Sequence, residues 1–362
     1  MKPYTYKFRL YPNNKQIKYF INCFGCGRFL WNLMLSDRKD YYEKYKKTLK
    51  REVSYYKNKK EYFFLKEVDS LLLSDVKLNL DRAYKDFFSG IRNFPKFKKK
   101  GKSRDSYTTY NQKNNIRIEG SYIKLPKIGL VKIRLHRLIE GNIKHVTVSK
   151  EKSGEFYVSI LVETDKDFTS LVPKSEKKIG IDMGIKNLCS DSNGTTYDNP
   201  KFHKKSLEKL RLYQKSLSRK KKDSRNREKA RIRLAKKYRK ITNQRRDYLH
   251  KVSKKIINEN QVICLETLNI KSMYKHKLKR INRSISDTGL GLFIEMLKYK
   301  SDLYGRQIKT VPKYYPSSQL CSSCGAKHKG MKKLSIKTMI CNKCGTVLDR
   351  DTNAALNILK CC

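Results

Sequence analysis

The sequence predicts an α/β protein in two parts: an N-terminal antiparallel β barrel carrying a helical lobe, then a mixed α/β sheet interrupted near its end by a metal knuckle. Three observations predict it. Short strands separated by Gly and Ser turns cluster between Ile116 and Val162. Two apolar strands, around Ile179-Gly180-Ile181 and Gln261–Leu268, end on acids and flank a long basic helical stretch. Two Cys-x-x-Cys pairs, Cys321–Cys324 and Cys341–Cys344, stand just ahead of Asp349-Arg350-Asp351-Thr352-Asn353-Ala354-Ala355.

Taken in order, Tyr4 to Tyr11 alternates aromatic or apolar with basic residues and reads as a strand. Pro12-Asn13-Asn14 breaks it and caps a helix from about Lys15 to Tyr45, with Ile17, Phe20, Phe24, Trp31 and Leu35 on one side. More helix rich in Lys and Tyr follows to about Phe88. Asn93 to Gly101 is a basic loop with interleaved aromatics, equally readable as a solvated connector or as a nucleic-acid contact. Strands are predicted at Ile116–Ile118, Tyr122–Leu125, Leu130–Leu135, His145–Ser149 and Phe156–Val162. Lys178 to Leu188 reads as one further strand, and Asn193-Gly194 as a hairpin turn to Thr195–Tyr197. Lys201 to Glu259 is helical and very basic, broken around Lys222-Asp223-Ser224. A helix at Gly291–Tyr304 and a strand at Gln307–Val311 lead to the cysteine pairs.

Composition narrows the function. The 362 residues carry 85 Lys and Arg against 33 acids, a formal charge of +52. Such a surface binds polyanions through release of phosphate counterions. No stretch approaches the roughly 18 consecutive apolar residues of a membrane span, and Met1-Lys2-Pro3-Tyr4 leads into no apolar signal core. Nucleic acid is the expected partner and the cytoplasm the expected compartment. Of ten cysteines, Cys189, Cys264, Cys361 and Cys362 show no framework spacing, and Cys23-x-x-Cys26 lies in an apolar helical run where buried thiols are expected.

Sixteen residues separate the other two cysteine pairs, and each is followed by Gly in a tight turn. This is the spacing of a tetrahedral zinc site, and four thiolates leave no position for water, so Cys321, Cys324, Cys341 and Cys344 predict one structural Zn²⁺. Asp182 follows one apolar strand, Glu266 ends another, and Asp351 opens a helix over Thr352–Leu359. One acid at a strand end or helix start is ordinarily structural. Three of them, on core-forming segments of so basic a chain, predict convergence at the strand ends of the mixed sheet. There they would bind Mg²⁺ or Mn²⁺ for phosphodiester chemistry.

A resemblance sharpens this. Gly180-Ile181-Asp182-Met183-Gly184-Ile185-Lys186-Asn187 resembles the first RuvC motif of the TnpB/OrfB family, the RNA-guided nucleases of small insertion sequences. Leu265-Glu266-Thr267-Leu268-Asn269 resembles its second motif, and Asp349 to Ile358 its third. Ser318 to Gly325 is similar to the start of the family's zinc ribbon, and Pro95-Lys96-Phe97-Lys98 and Leu125-Pro126-Lys127-Ile128-Gly129 to its N-terminal half. The resemblance implies an RNase H-like (RuvC) nuclease domain with an inserted zinc ribbon, behind a wedge-type β barrel with a recognition lobe. The implied boundaries are 1–175 for the barrel, with its helical insertion at about 15–110; 176–312 for the first part of the nuclease; 313–347 for the ribbon; and 348–362 for the final motif and helix.

The resemblance further implies that Asp182, Glu266 and Asp351 are the catalytic, metal-binding carboxylates, with Asp349 supporting the turn. It implies a guide RNA from the element's own end, one chain per RNA, and double-stranded target DNA cut beside a short transposon-adjacent motif. The host would be prokaryotic. Three other readings share these features: a nuclease-inactive guided repressor, a compact type V CRISPR effector, and a transposase joining DNA ends. The intact acids disfavour the first.

Overall fold

The computed structural model describes residues 2–274, 278–332 and 335–362. It divides into two compact units, the first reaching Lys166 and the second running from Asp167 to Cys362.

The first unit opens with β1 (Lys2–Tyr11), which stops at Pro12, where the chain loses a ladder donor. Asn13 then caps α1 (Asn14–Tyr45) in a reciprocal box with Gln16: each side chain accepts from the other residue's backbone N–H. Phe20, Phe24, Leu30, Trp31, Met34 and Leu35 are the buried face of that helix, close to the predicted stripe. Cys23 and Cys26 are buried with them, and burial pushes the Cys23 thiol up to about 12 and the Cys26 thiol to about 11, so both are inert packing groups. Helices α2 (Val53–Lys57) and α3 (Ser70–Phe88) complete the lobe, the latter capped by the Asp69 carboxylate.

The remaining strands are β2 (Asp105–Tyr110), β3 (Arg117–Glu119), β4 (Tyr122–Leu125), β5 (Gly129–Arg134), β6 (Asn142–Lys150) and β7 (Phe156–Thr164). With β1 they form one antiparallel sheet, ordered β2-β6-β7-β1-β5-β4-β3. Strict alternation in β7 buries Phe156, Val158, Ile160 and Val162 on one face, as its sequence pattern requires. The basic loop at 93–101 is tied to α1. Trp31 Nε1 donates to the Lys96 carbonyl, and the Asn32 amide exchanges two bonds with the Lys98 backbone. The Lys98 ammonium lies 3.8 Å from the Trp31 ring centroid.

The second unit holds β8 (Lys178–Met183), β9 (Asn187–Asp191), β10 (Thr196–Asp198), α4 (Phe202–Lys205), α5 (Leu207–Ser218), α6 (Arg225–Glu259), β11 (Val262–Leu265), α7 (Ile270–Met273), α8 (Lys279–Thr288), α9 (Leu290–Tyr304) and β12 (Gln307–Thr310). Its five-stranded sheet runs β10-β9-β8-β11-β12, with β8, β11 and β12 parallel and β9 and β10 antiparallel, so the sheet is mixed as predicted. One expectation is corrected. Lys178 to Leu188 is not one strand: the chain reverses after Met183, the Gly184 N–H donates to the Leu188 carbonyl, and β8 and β9 pair as a hairpin. The predicted break before the long basic helix is present, with Ser224 capping α6.

The two faces of this sheet are covered differently. Ile179, Ile181, Ile263 and Leu265 pack toward α6 and α9 with Leu249, Ile256, Phe293 and Leu297. Val262 and Cys264 face the other way, toward Ile358 and Leu359 of α10 (Arg350–Cys361). Between β12 and α10 lies a small hairpin of β13 (Thr338–Ile340) and β14 (Val347–Asp349).

Candidate active site and metal centre

In the parallel pair, Ile181 stands opposite Leu265, which sets the next residues, Asp182 and Glu266, level at the carboxyl ends of adjacent strands. Open α/β sheets bind ligands at these ends. Side-chain alternation then aims both acids at the face that Gly180, Val262 and Cys264 present, which is the α10 face. Gly180 is what lets α10 approach. A Cβ at this position would collide with the Ala355 carbonyl oxygen and with Leu359. Ala354 and Ala355 are fully buried at the same contact. One helical turn from Ala355 toward the N-terminus is Asp351; two residues along β8 from Gly180 is Asp182. Both steps lead to the same end, because the helix runs against the strand.

Asp182, Glu266 and Asp351 therefore line one cavity of about 450 Å³, together with Ser190, Ser317, Lys337 and Arg350. Burial, then the charges of Glu266 and Asp351, push the Asp182 carboxyl well above the usual carboxylate range, opposed by the Arg350 guanidinium. Burial also raises Glu266, against a 2.7 Å hydrogen bond from the Ser317 hydroxyl that favours its charged form. Asp349 plays a structural part instead, since its carboxylate accepts from the backbone N–H groups of Asp351 and Thr352 and so caps α10.

The four cysteines form a second centre. Each Cys-x-x-Cys-Gly run folds alike: Gly325 and Gly345 take left-handed φ of 74° and 72° and donate to the Cys321 and Cys341 carbonyls. Cys321 Sγ lies 3.6 Å from Cys344 Sγ, and Cys324 Sγ lies 3.5 Å from Cys341 Sγ. A tetrahedral zinc with ~2.3 Å bonds needs about 3.8 Å between sulfurs, close to what the cluster offers. All four ligand atoms lie within 4.8 Å of one another, and among the described residues they are the only such group. Hydrogen bonds from the Thr346 hydroxyl and backbone hold the Cys344 thiol down to about 6, so a thiolate is present at neutral pH.

Three residues that the sequence reading missed connect the centres. Asn353, fully buried, accepts from the Ser322 N–H inside the first knuckle and donates to the Leu320 carbonyl. Asn357, one turn on, donates to the carbonyls of Ser317 and Leu320. Ser317 in turn bonds Glu266. Two asparagines four apart on the helix behind Asp351 were the available signal.

Comparison with known proteins places this architecture. The solved Cas12f1–sgRNA–target DNA complex contains a chain of the same fold, with a TM-score of 0.60 over 95% of this chain and 82% of that one, at 17% identity. Family models described as a probable transposase (OrfB of IS605) and a Cas12f1-like TNB domain match residues 159–277 and 291–358. A helix-turn-helix model matches residues 1–47, although residues 14–45 are a single unbroken helix here. A candidate RNA-guided DNA endonuclease of Streptomyces pristinaespiralis is 34% identical over 98% of this chain and 88% of its own length. The candidate RNA-guided DNA endonuclease InsQ of Escherichia coli (strain K12) is 33% identical, over 98% and 91%. The chain belongs to the OrfB/TnpB family. Among the described residues, no helix is long and apolar enough to cross a membrane.

Proposed function

We propose that the protein is an RNA-guided, divalent-metal-dependent DNA endonuclease of an insertion sequence. The convergence of Asp182, Glu266 and Asp351 on one cavity, at parallel strand ends in a chain of charge +52, carries this reading. The sheet with β8, β11 and β12 parallel and α10 across it supports an RNase H-like (RuvC) nuclease core, and the curled seven-stranded sheet a wedge-type barrel. Relatives named as RNA-guided DNA endonucleases support a guide RNA and a DNA target; a double-stranded target cut beside a transposon-adjacent motif is what the family resemblance implies.

Hard carboxylate oxygens fit Mg²⁺ or Mn²⁺, and a bound cation would offset the burial that raises the Asp182 and Glu266 carboxyls. Such cations supply charge neutralisation at the scissile phosphate and activation of water. The protein's part is to hold the three carboxylates level, to orient Glu266 through Ser317, and to offset their repulsion with Arg350. Cys321, Cys324, Cys341 and Cys344 would hold a structural Zn²⁺, which would stabilise the knuckle that follows Ser317.

Asp182→Ala tests the assignment. Cleavage of a guide-matched target should vanish while RNA-dependent target binding persists. Cleavage at the wild-type rate would remove Asp182 from the reaction.

A further inference from the structure

A cavity of about 910 Å³ adjoins the acid pocket and shares Lys186 and Asn187 with it. Five lysines line it: Lys186, Lys201, Lys205, Lys251 and Lys255. Lys251 pairs with Asp247 at 2.8 Å, but among the described residues the other four have no ion-pair partner. Asp198 is the single acid in the lining, and its backbone carbonyl accepts from the Tyr248 hydroxyl. The basin is rigidly built. Asn199 donates to the Ile185 carbonyl and to the Thr288 hydroxyl, both at 2.8 Å, and accepts from the Lys201 N–H at 3.1 Å. One side chain thereby anchors the β8–β9 turn, which carries Lys186, and holds Lys201 in a left-handed conformation with φ of 50°. A non-glycine residue keeps that conformation only where its surroundings enforce it.

We propose that this basin holds the phosphodiester backbone of the DNA strand being cut, where that strand passes the Lys186 side of the acid pocket. The inference rests on the nuclease reading of that pocket and adds a route for the substrate. Uncompensated ammonium groups around a wide, solvent-open cavity suit phosphates. Continuity with the acid pocket through Lys186 and Asn187 favours the cleaved DNA strand over the guide.

The test uses the RNA-loaded full chain and the variant Lys201→Gln/Lys205→Gln/Lys255→Gln, with cleavage followed across a KCl series. The variant's KM for target should rise by about tenfold or more with kcat little changed. Each phosphate contact on a single strand contributes about 0.7 to the salt slope, so log kcat/KM against log salt should be shallower by about 2. Arginine at the same three positions should restore both. Unchanged KM and slope overturn the proposal, as does loss of co-purifying RNA with an unchanged DNA slope, which assigns the basin to the guide. Should the triple variant unfold, Lys205→Gln alone must still lower the slope. Target binding measured without Mg²⁺ separates this proposal from the nuclease reading. If the wild type never cleaves, yet the variant loses salt-dependent binding, the nuclease reading fails and the basin stands.

Discussion

The backbone of Gly180 touches the backbone of Ala355, with no room between strand β8 and helix α10 for even a methyl group. This contact sets the height of Asp351 over Asp182. Gly180→Ala should destabilise the second unit by about 1–3 kcal/mol, the ordinary cost of overpacking a filled core. Denaturant unfolding measures it, and cleavage should fall with it. A variant as stable and active as the parent would mean that α10 is positioned by something else.

Ser317→Ala removes the hydroxyl that holds Glu266 while leaving the carboxylate in place. Loss of such an orienting partner lowers metal affinity or activity by about 10- to 100-fold. The loss should be partly recovered at high Mg²⁺, which a merely structural lesion would not allow.

Cys341→Ser, or prolonged chelation, should release the metal proposed for the four-cysteine cluster and loosen the knuckle around Ser322, because such a site's binding energy is also folding energy. Elemental analysis reads the metal, and hydrogen exchange at Ser322 reads the knuckle through its bond to Asn353. Full zinc content in the variant would dismiss the four-cysteine site.

Lys300 gives a pH signature. Its ammonium is buried, donates to the His250 carbonyl and the Ser253 hydroxyl, and is lowered to about 8 by burial and by the charge of Lys254. Between about 8 and the ordinary value near 10.5, the unfolded chain binds the proton and the folded chain does not. This group's contribution to stability therefore rises with pH through that window. Buried thiols such as Cys264, raised to about 12, pull the other way, so the reading is differential: from pH 7.5 to pH 10 the unfolding midpoint should change less favourably in Lys300→Met than in the parent.

Much of this was legible in the residues. Ile179-Gly180-Ile181 and Val262–Leu265 are continuous apolar runs, the mark of strands buried on both faces. What escaped lacked such marks. The turn at Gly184-Ile185-Lys186 contains no Asn-Gly or Pro, so β8 and β9 read as one strand. Strand β2 is Asp-Ser-Tyr-Thr-Thr-Tyr, without an aliphatic residue to show its alternation, and α8 is almost wholly polar. Asp182 and Glu266 were readable because each closes an apolar segment, and Asp351 because it opens the last helix. Ser317, Asn353 and Asn357 were not, since their roles consist of hydrogen bonds between segments far apart in the chain.

The route by which the acid pocket is assembled has a consequence for synthesis and folding. Its three carboxylates come from segments separated by whole helices, and the strands bearing two of them pair in parallel, a topology that forms late because long loops must close first. A chain that is still emerging, or has been cut short before α10, has the nucleic-acid-attracting charge but no complete acid set. On the proposed nuclease reading, cutting then requires the finished fold.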